Sequence, residues 1–137
     1  MGLKPIYVYL DSCLVIYLVE EHSIFAPLLE NYIFAQPDLI FVVSALSEME
    51  CFVMPFRKNN QLLIDKFCDW FKQAESVVLG KEVFRQAAHL RAGFPSLKTP
   101  DAIHLATALH YGCDEFWTND NRLDKVAPGL VKNVLTI

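Results

Sequence analysis

The chain has no run of about 18 apolar residues, the length that a bilayer-spanning helix needs. Its longest candidate, "CLVIYLV" (Cys13 to Val19), is far too short. Asp11 interrupts the apolar stretch near the N-terminus, and no small-residue cleavage site follows it. No signal peptide is therefore expected. There is no CxxC pair. Cys13, Cys51, Cys68 and Cys113 are scattered, most of them in or beside apolar runs. That spacing excludes a zinc framework and points to free thiols in a reducing cytoplasm. Charge is scarce as well, with charged residues at 20%. The net charge of −4 excludes a protein that coats nucleic acid through a broad basic surface. It leaves room for a nuclease whose acidic site holds metal beside a local basic patch. With no repeat, low-complexity segment or linker, residues 1–137 are expected to form a single domain.

What the chain has in abundance is apolar side chains, at 53% of residues and a mean hydropathy of +0.26. A large core is implied, together with apolar surface covered by a partner. "IYVYLD" (Ile6 to Asp11) and "LIFVVS" (Leu39 to Ser44) read as strands buried in a parallel sheet. "SVVLG" (Ser76 to Gly80) and "EFWT" are shorter strands, and the closing "NVLTI" is a candidate fifth. Helices are expected over Cys13 to Glu20 and Ser23 to Ala35, the second broken by Gln36-Pro37-Asp38. Another runs from Ala45 to about Phe52, with Pro55 near its end or kinking it. Further helices are expected from Asn60 to Ala74, around Val83 to Ala88, and from an N-cap at Thr99 to about Tyr111. Strand–helix alternation of this kind predicts an α/β sandwich on a mostly parallel sheet.

Four acids stand at the ends of these strands or in the helices that follow them: Asp11, Glu50, Asp101 and Asp120. Parallel sheets build their sites at the carboxyl ends of strands. Each acid also has a local explanation. Asp11 suits the cap of the first helix, and Glu50 completes a Ser-x-x-Glu capping box from Ser47. Asp101 complements a helix dipole, and Asp120 suits a turn. Gathered into one cleft, however, the four exceed what capping supports. Two carboxylates about 5 Å apart repel by roughly 3 kcal/mol at an effective dielectric near 20. A helix terminus returns only about 0.3–1 kcal/mol. Such a cluster takes up protons or binds cations. An all-oxygen site suits Mg²⁺ or Mn²⁺, and the chemistry that follows is hydrolysis of a phosphodiester.

Four segments carry a family resemblance: "YLDSCLVIYLVE", "VVSALSEMECFVMPFR", "TPDAIHLATALHYGCDEFWTND" and the closing strand. In order and spacing the chain resembles the PIN-domain ribonucleases, specifically the VapC-type toxins of bacterial toxin–antitoxin pairs. The resemblance implies a three-layer α/β/α sandwich around a five-stranded, mostly parallel sheet. It also implies a homodimer, Mg²⁺-dependent RNA cleavage and inhibition by a cognate antitoxin. The metal-holding set it implies is Asp11, Glu50, Asp101 and Asp120. Glu48 is the rival of Glu50, which is preferred because it precedes the apolar run that ends in "CFVMPFR". Cys13 departs from the small polar residue common in the family.

Around the acids, Ser12 and Ser44 are placed to hydrogen-bond a ligand carboxylate or a metal-bound water, or to act as plain caps. Thr118 and Asn119 are placed to support Asp120. Lys98, three residues before Asp101, is the leading candidate for a phosphate contact. His104 shares a helix face with Asp101 and reads as a packed or hydrogen-bonded histidine, because a metal site needs no separate base. Two other readings remain: a non-catalytic PIN-like module that binds RNA or protein, and a phosphatase with Asp11 as nucleophile. The phosphatase wants a second acid two residues on, where Cys13 stands.

Overall fold

A computed structural model gives the architecture and describes residues 4–36 and 38–136. The expected helix breaker Pro37 and the last residue of the expected fifth strand, Ile137, lie outside the described residues. The elements run β1 (Ile6–Leu10), α1 (Ser12–Val19), α2 (Phe25–Phe34), β2 (Leu39–Ser44), α3 (Ala45–Arg57) and α4 (Gln61–Gln73). They continue as β3 (Glu75–Val77), α5 (Lys81–Gly93), α6 (Thr99–His110), β4 (Glu115–Thr118) and β5 (Val131–Asn133). A short 3₁₀ turn, Asn121–Leu123, follows β4.

All five strands are parallel, in the order β3-β2-β1-β4-β5. The most apolar strands pair at the centre, where both faces are covered. Side chains alternate across the sheet, so each strand feeds two cores. Tyr9, Val42, Phe116 and Val131 pack under α5 and α6. Val8, Leu10, Val43 and Trp117 pack on the opposite face under α1, α3 and α4. These two cores are the physical content of an α/β/α sandwich, as expected.

Local differences from the sequence reading have identifiable causes. The helix α3 runs through Pro55 to Arg57 instead of stopping near Phe52. Its capping box is not Ser47–Glu50. The helix begins where β2 ends, and Ser47 Oγ accepts from the Ser44 backbone N–H at 3.1 Å. Thr99 is the first helical residue of α6, and Lys98 is its N-cap. The fifth strand is Val131–Asn133, overlapping "NVLTI" only at Asn133, because pairing sets Val131 opposite Phe116 and leaves Val134-Leu135 in a turn.

Helix α6 ends in a Schellman turn that aims the chain into β4. Cys113 N–H bonds Ala108 C=O at 2.9 Å, and Gly112 N–H bonds Leu109 C=O at 3.2 Å. Gly112 has φ +67°, and a Cβ placed there would meet nothing within 4 Å. The cost of Gly112→Ala is therefore backbone strain alone, about 1 kcal/mol. Thermal denaturation should show a melting temperature lower by roughly 3–5 °C.

Candidate active site

The chain moves outward from β1 to β2 and β3, then returns to place β4 on the other side of β1. This reversal opens a crevice at the carboxyl ends of β1 and β4, the usual site of open parallel sheets. Asp11 directly follows β1 and occupies that crevice. Its backbone N–H bonds Trp117 C=O at 3.0 Å, and its Oδ2 accepts from Thr118 Oγ1 at 2.8 Å. Asp11 is the N-cap residue of α1 by position, yet its carboxylate makes no capping hydrogen bond. The side chain is turned into the crevice instead.

Glu50 arrives from α3. One oxygen, Oε1, accepts from Ser12 Oγ at 2.6 Å and from His104 Nε2 at 2.6 Å. Among the described residues Oε2 is in no hydrogen bond. Glu48, the rival, faces away and accepts from Ser76 Oγ of β3 at 3.4 Å. Asp101 stands in the first turn of α6 and is half-buried without a hydrogen-bond donor among the described residues. Asp120 follows β4 at the rim of the crevice. It caps the 3₁₀ turn through Arg122 N–H and is gripped by the Arg122 guanidinium at 2.9 and 2.7 Å.

The electrostatics divide these acids into two kinds. Burial raises the pKa of Asp11 against the lowering influence of His104 and the Thr118 hydroxyl. Burial also raises Asp101, and the charges of Asp11 and Asp120 push it further the same way. Glu50 is lowered, because its hydrogen bonds from His104 and Ser12 outweigh the opposing effect of burial. Asp120 is lowered chiefly by the hydrogen bond from Arg122. Asp11 and Asp101 are thus the pair held in an uncomfortable negative state, the condition under which a cation binds or protons are taken up.

Behind Glu50 lies a buried network that sequence reading missed. The fully buried Tyr9 hydroxyl meets His104 Nδ1 at 2.6 Å, Ser44 Oγ at 3.0 Å and Ser47 Oγ at 3.4 Å. His104 passes this order on to Glu50, so the imidazole links the β1 core to a site carboxylate. Ser44 therefore bonds Tyr9, not a carboxylate ligand. Thr118 bonds Asp11 and accepts from the Asp120 backbone N–H at 3.1 Å. Asn119 turns away from Asp120 and donates to the Tyr17 hydroxyl at 3.0 Å. His104 is hydrogen-bonded, as its place in an apolar helix suggested. Lys98 stands at the N-terminus of α6, near enough to act on the charge of Asp120.

The donor set fits a hard divalent cation, since it is made of carboxylate oxygens with no thiolate near enough in character to compete. Burial pushes the Cys13 thiol, next to Asp11 in the fold, up to about 12. Among the described residues no three acid, histidine or cysteine side chains are already converged on one metal position. Ser12 and His104 hold one oxygen of Glu50, and Arg122 holds Asp120.

An all-parallel sheet with carboxylates gathered at its switch point defines an α/β domain of the acidic-site kind. A family model for the PIN domain matches residues 8–128, and the chain belongs to that family. None of the curated proteins matches it in sequence. Solved structures share the fold. One is VapBC2 from Rickettsia felis bound to a DNA fragment from its promoter, at 13% identity and TM-score 0.75, covering 93% of this chain and 98% of that one. A second is a toxin–antitoxin complex from Klebsiella pneumoniae, at 21% identity and TM-score 0.71, covering 93% and 97%. A third is VapC20 of Mycobacterium tuberculosis, a sarcin–ricin-loop-cleaving toxin, at 10% identity and TM-score 0.71, covering 88% and 95%.

Proposed function

We propose that this PIN domain is a Mg²⁺- or Mn²⁺-dependent endoribonuclease, the toxin of a type II toxin–antitoxin pair acting in the cytoplasm. The observation that carries the reading is the position of Asp11 at the end of β1 and of Asp101 in the first turn of α6, close enough that the charge of Asp11 acts on Asp101. Family membership and the likeness to toxin structures support it. Asp11, Asp101 and Glu50 through its free oxygen would hold the metal, with Asp120 at the rim. A bound divalent ion supplies activation of water and neutralisation of charge on the phosphate. The protein's own residues do the positioning. Thr118 orients Asp11, and His104 with Ser12 orients Glu50. Lys98, at the rim near Asp120, is placed to meet a phosphate of the RNA.

The test is direct. Purified protein incubated with RNA should cleave it in Mg²⁺ or Mn²⁺, and EDTA should bring cleavage to background. Retention of full cleavage in EDTA would sink the metal-dependent reading. The arrest of Asp120 by Arg122 favours a second reading, a PIN-like module that binds RNA or protein without catalysis. Titration with Mn²⁺ separates the two, because that module takes up no metal saturably.

We extend the reading to partners: a cognate antitoxin and a second copy of this chain. The Klebsiella pneumoniae neighbour was solved as a toxin–antitoxin complex. Exposed apolar side chains offer surface for such partners. Met49, Val53 and Phe56 repeat at helical spacing on α3, with Phe34 and Leu62 on α2 and α4. Among the described residues no helix is long and apolar enough to cross a membrane.

A further inference from the structure

Among the described residues, Asp120 is the only one of the four site acids paired with an arginine or lysine. Its two oxygens are held differently. Oδ1 accepts from the Arg122 backbone N–H at 2.9 Å and from Arg122 Nε at 2.9 Å. Oδ2 meets only Arg122 Nη2 among the described residues, at 2.7 Å. Glu50 shows the same division without the cation: Ser12 and His104 anchor Oε1, and Oε2 is in no hydrogen bond among the described residues. Asp120 thus has an anchored oxygen and an outward one, as Glu50 does, but a guanidinium covers the outward one.

The guanidinium has no second anchor. The Arg122 side chain is 71% exposed, against 21% for Asp120. All of its hydrogen bonds among the described residues go to Asp120. An exposed pair of this kind is weakly held, because water solvates the freed arginine and holding the arm costs side-chain entropy. When the arm leaves, the backbone N–H stays on Oδ1, so the carboxylate keeps its orientation. Asp101 is near enough for its charge to act on Arg122, which places the arm over the acidic crevice. A tie that serves the fold joins distant segments or lies buried. This one joins residues two apart, across a turn that the backbone already caps.

We propose that Arg122 is a displaceable counter-ion of the site. Before metal enters, it neutralises the outward oxygen of Asp120. It must let go before that oxygen can join Asp11, Asp101 and Glu50 around a divalent cation. The inference rests on the metal-dependent reading and deepens it, because it names the residue that sets how tightly the site loads. The arm lowers the repulsion in the crevice and, by the same contact, weakens metal binding.

Calorimetry of the full chain with Mn²⁺ as the only added ligand tests this. The proteins are wild type, Arg122→Ala, Lys125→Ala, Asp120→Ala and the variant carrying both Asp120→Ala and Arg122→Ala. Lys125 lines the same opening as Arg122 and forms no salt bridge among the described residues, so its loss removes a charge without releasing Asp120. Arg122→Ala should bind Mn²⁺ about threefold to fivefold more tightly at low salt, the range of an exposed ion pair. The gain should shrink as ionic strength rises from about 0.05 M to about 0.5 M, because screening loosens the pair in the parent. Lys125→Ala should match wild type. In the Asp120→Ala background the Arg122 substitution should add nothing, since its target is gone. The proposal is overturned if Arg122→Ala binds no more tightly than wild type, or if Lys125→Ala gains as much. It also falls if the gain persists unchanged in Asp120→Ala. Each of these results, with saturable binding in wild type, leaves the metal-dependent function standing. Absence of saturable binding in both wild type and Arg122→Ala overturns that function together with the proposal.

Discussion

Asp101→Asn should lower RNA cleavage about 10³-fold and, in the same protein, raise the melting temperature measured in EDTA. The two effects share one cause. On the proposed reading, losing a charged oxygen that would hold the metal removes several kcal/mol of stabilisation of the reacting phosphate, and each 1.36 kcal/mol is tenfold in rate. The stability effect follows from linkage. The folded-state pKa of Asp101 is raised, first by burial and then by Asp11 and Asp120. A raised carboxyl favours its protonated form, so its contribution is fully present below the ordinary carboxyl range. That contribution is lost as pH rises through the raised value. At neutral pH the ionised side chain therefore works against the fold, and an uncharged asparagine does not. The gap in melting temperature between variant and parent should widen from pH 4 to pH 7, and Mn²⁺ should close it by stabilising only the parent. A variant that loses activity but melts lower at pH 7 would show that Asp101 is not part of a repulsive acidic pair.

His104→Ala is the second large effect. The imidazole is almost wholly buried and bonded at both nitrogens, to Tyr9 and to Glu50. Its removal leaves a buried hydroxyl short of a partner and a cavity in the α5–α6 core, at a cost of about 3 kcal/mol. For a chain of this size the melting temperature should fall by about 10 °C. Glu50 also loses the group that fixes its orientation, so Mn²⁺ affinity by calorimetry should weaken roughly 10- to 100-fold. Tyr9→Phe gives the control. It keeps the ring stacked on Phe116, with centroids 5.4 Å apart, and removes only the hydroxyl. That change should cost about 1–2 kcal/mol and leave the His104–Glu50 bond in place. Equal metal affinity in His104→Ala and wild type would show that the histidine only fills space.

The elements that sequence reading located best are those whose signal is local and strong. β2 is a nearly continuous apolar run, β4 centres on the aromatic pair Phe116-Trp117, and α6 opens on a proline that suits a first turn. Their boundaries match the structure to within a residue. Errors arose where a distant partner decides the outcome. "NVLTI" is more apolar than "VKN", yet pairing with β4 selects the latter. Ser-x-x-Glu at Ser47–Glu50 satisfies a capping pattern, yet the end of β2 starts the helix earlier and frees Glu50 for the crevice. Nothing local marks Tyr9, because its three hydroxyl partners are between 35 and 95 residues away. Arg122 was the exception, a missed residue only two positions from Asp120, and its spacing could have signalled the clamp. The juxtaposition of Asp11 with Asp101 was inferred from strand-end positions. Its geometry came from the sheet order, which no local pattern encodes.

Thr118 reaches back across 107 positions to bond Asp11, and β1 is completed as a central strand only when β4 lies beside it. In a chain made from its N-terminus, the crevice therefore lacks one wall until Glu115–Thr118 has joined the sheet. A fragment that stops before Glu115 leaves Asp11 without its Thr118 partner and, on the ribonuclease reading, should cleave no RNA.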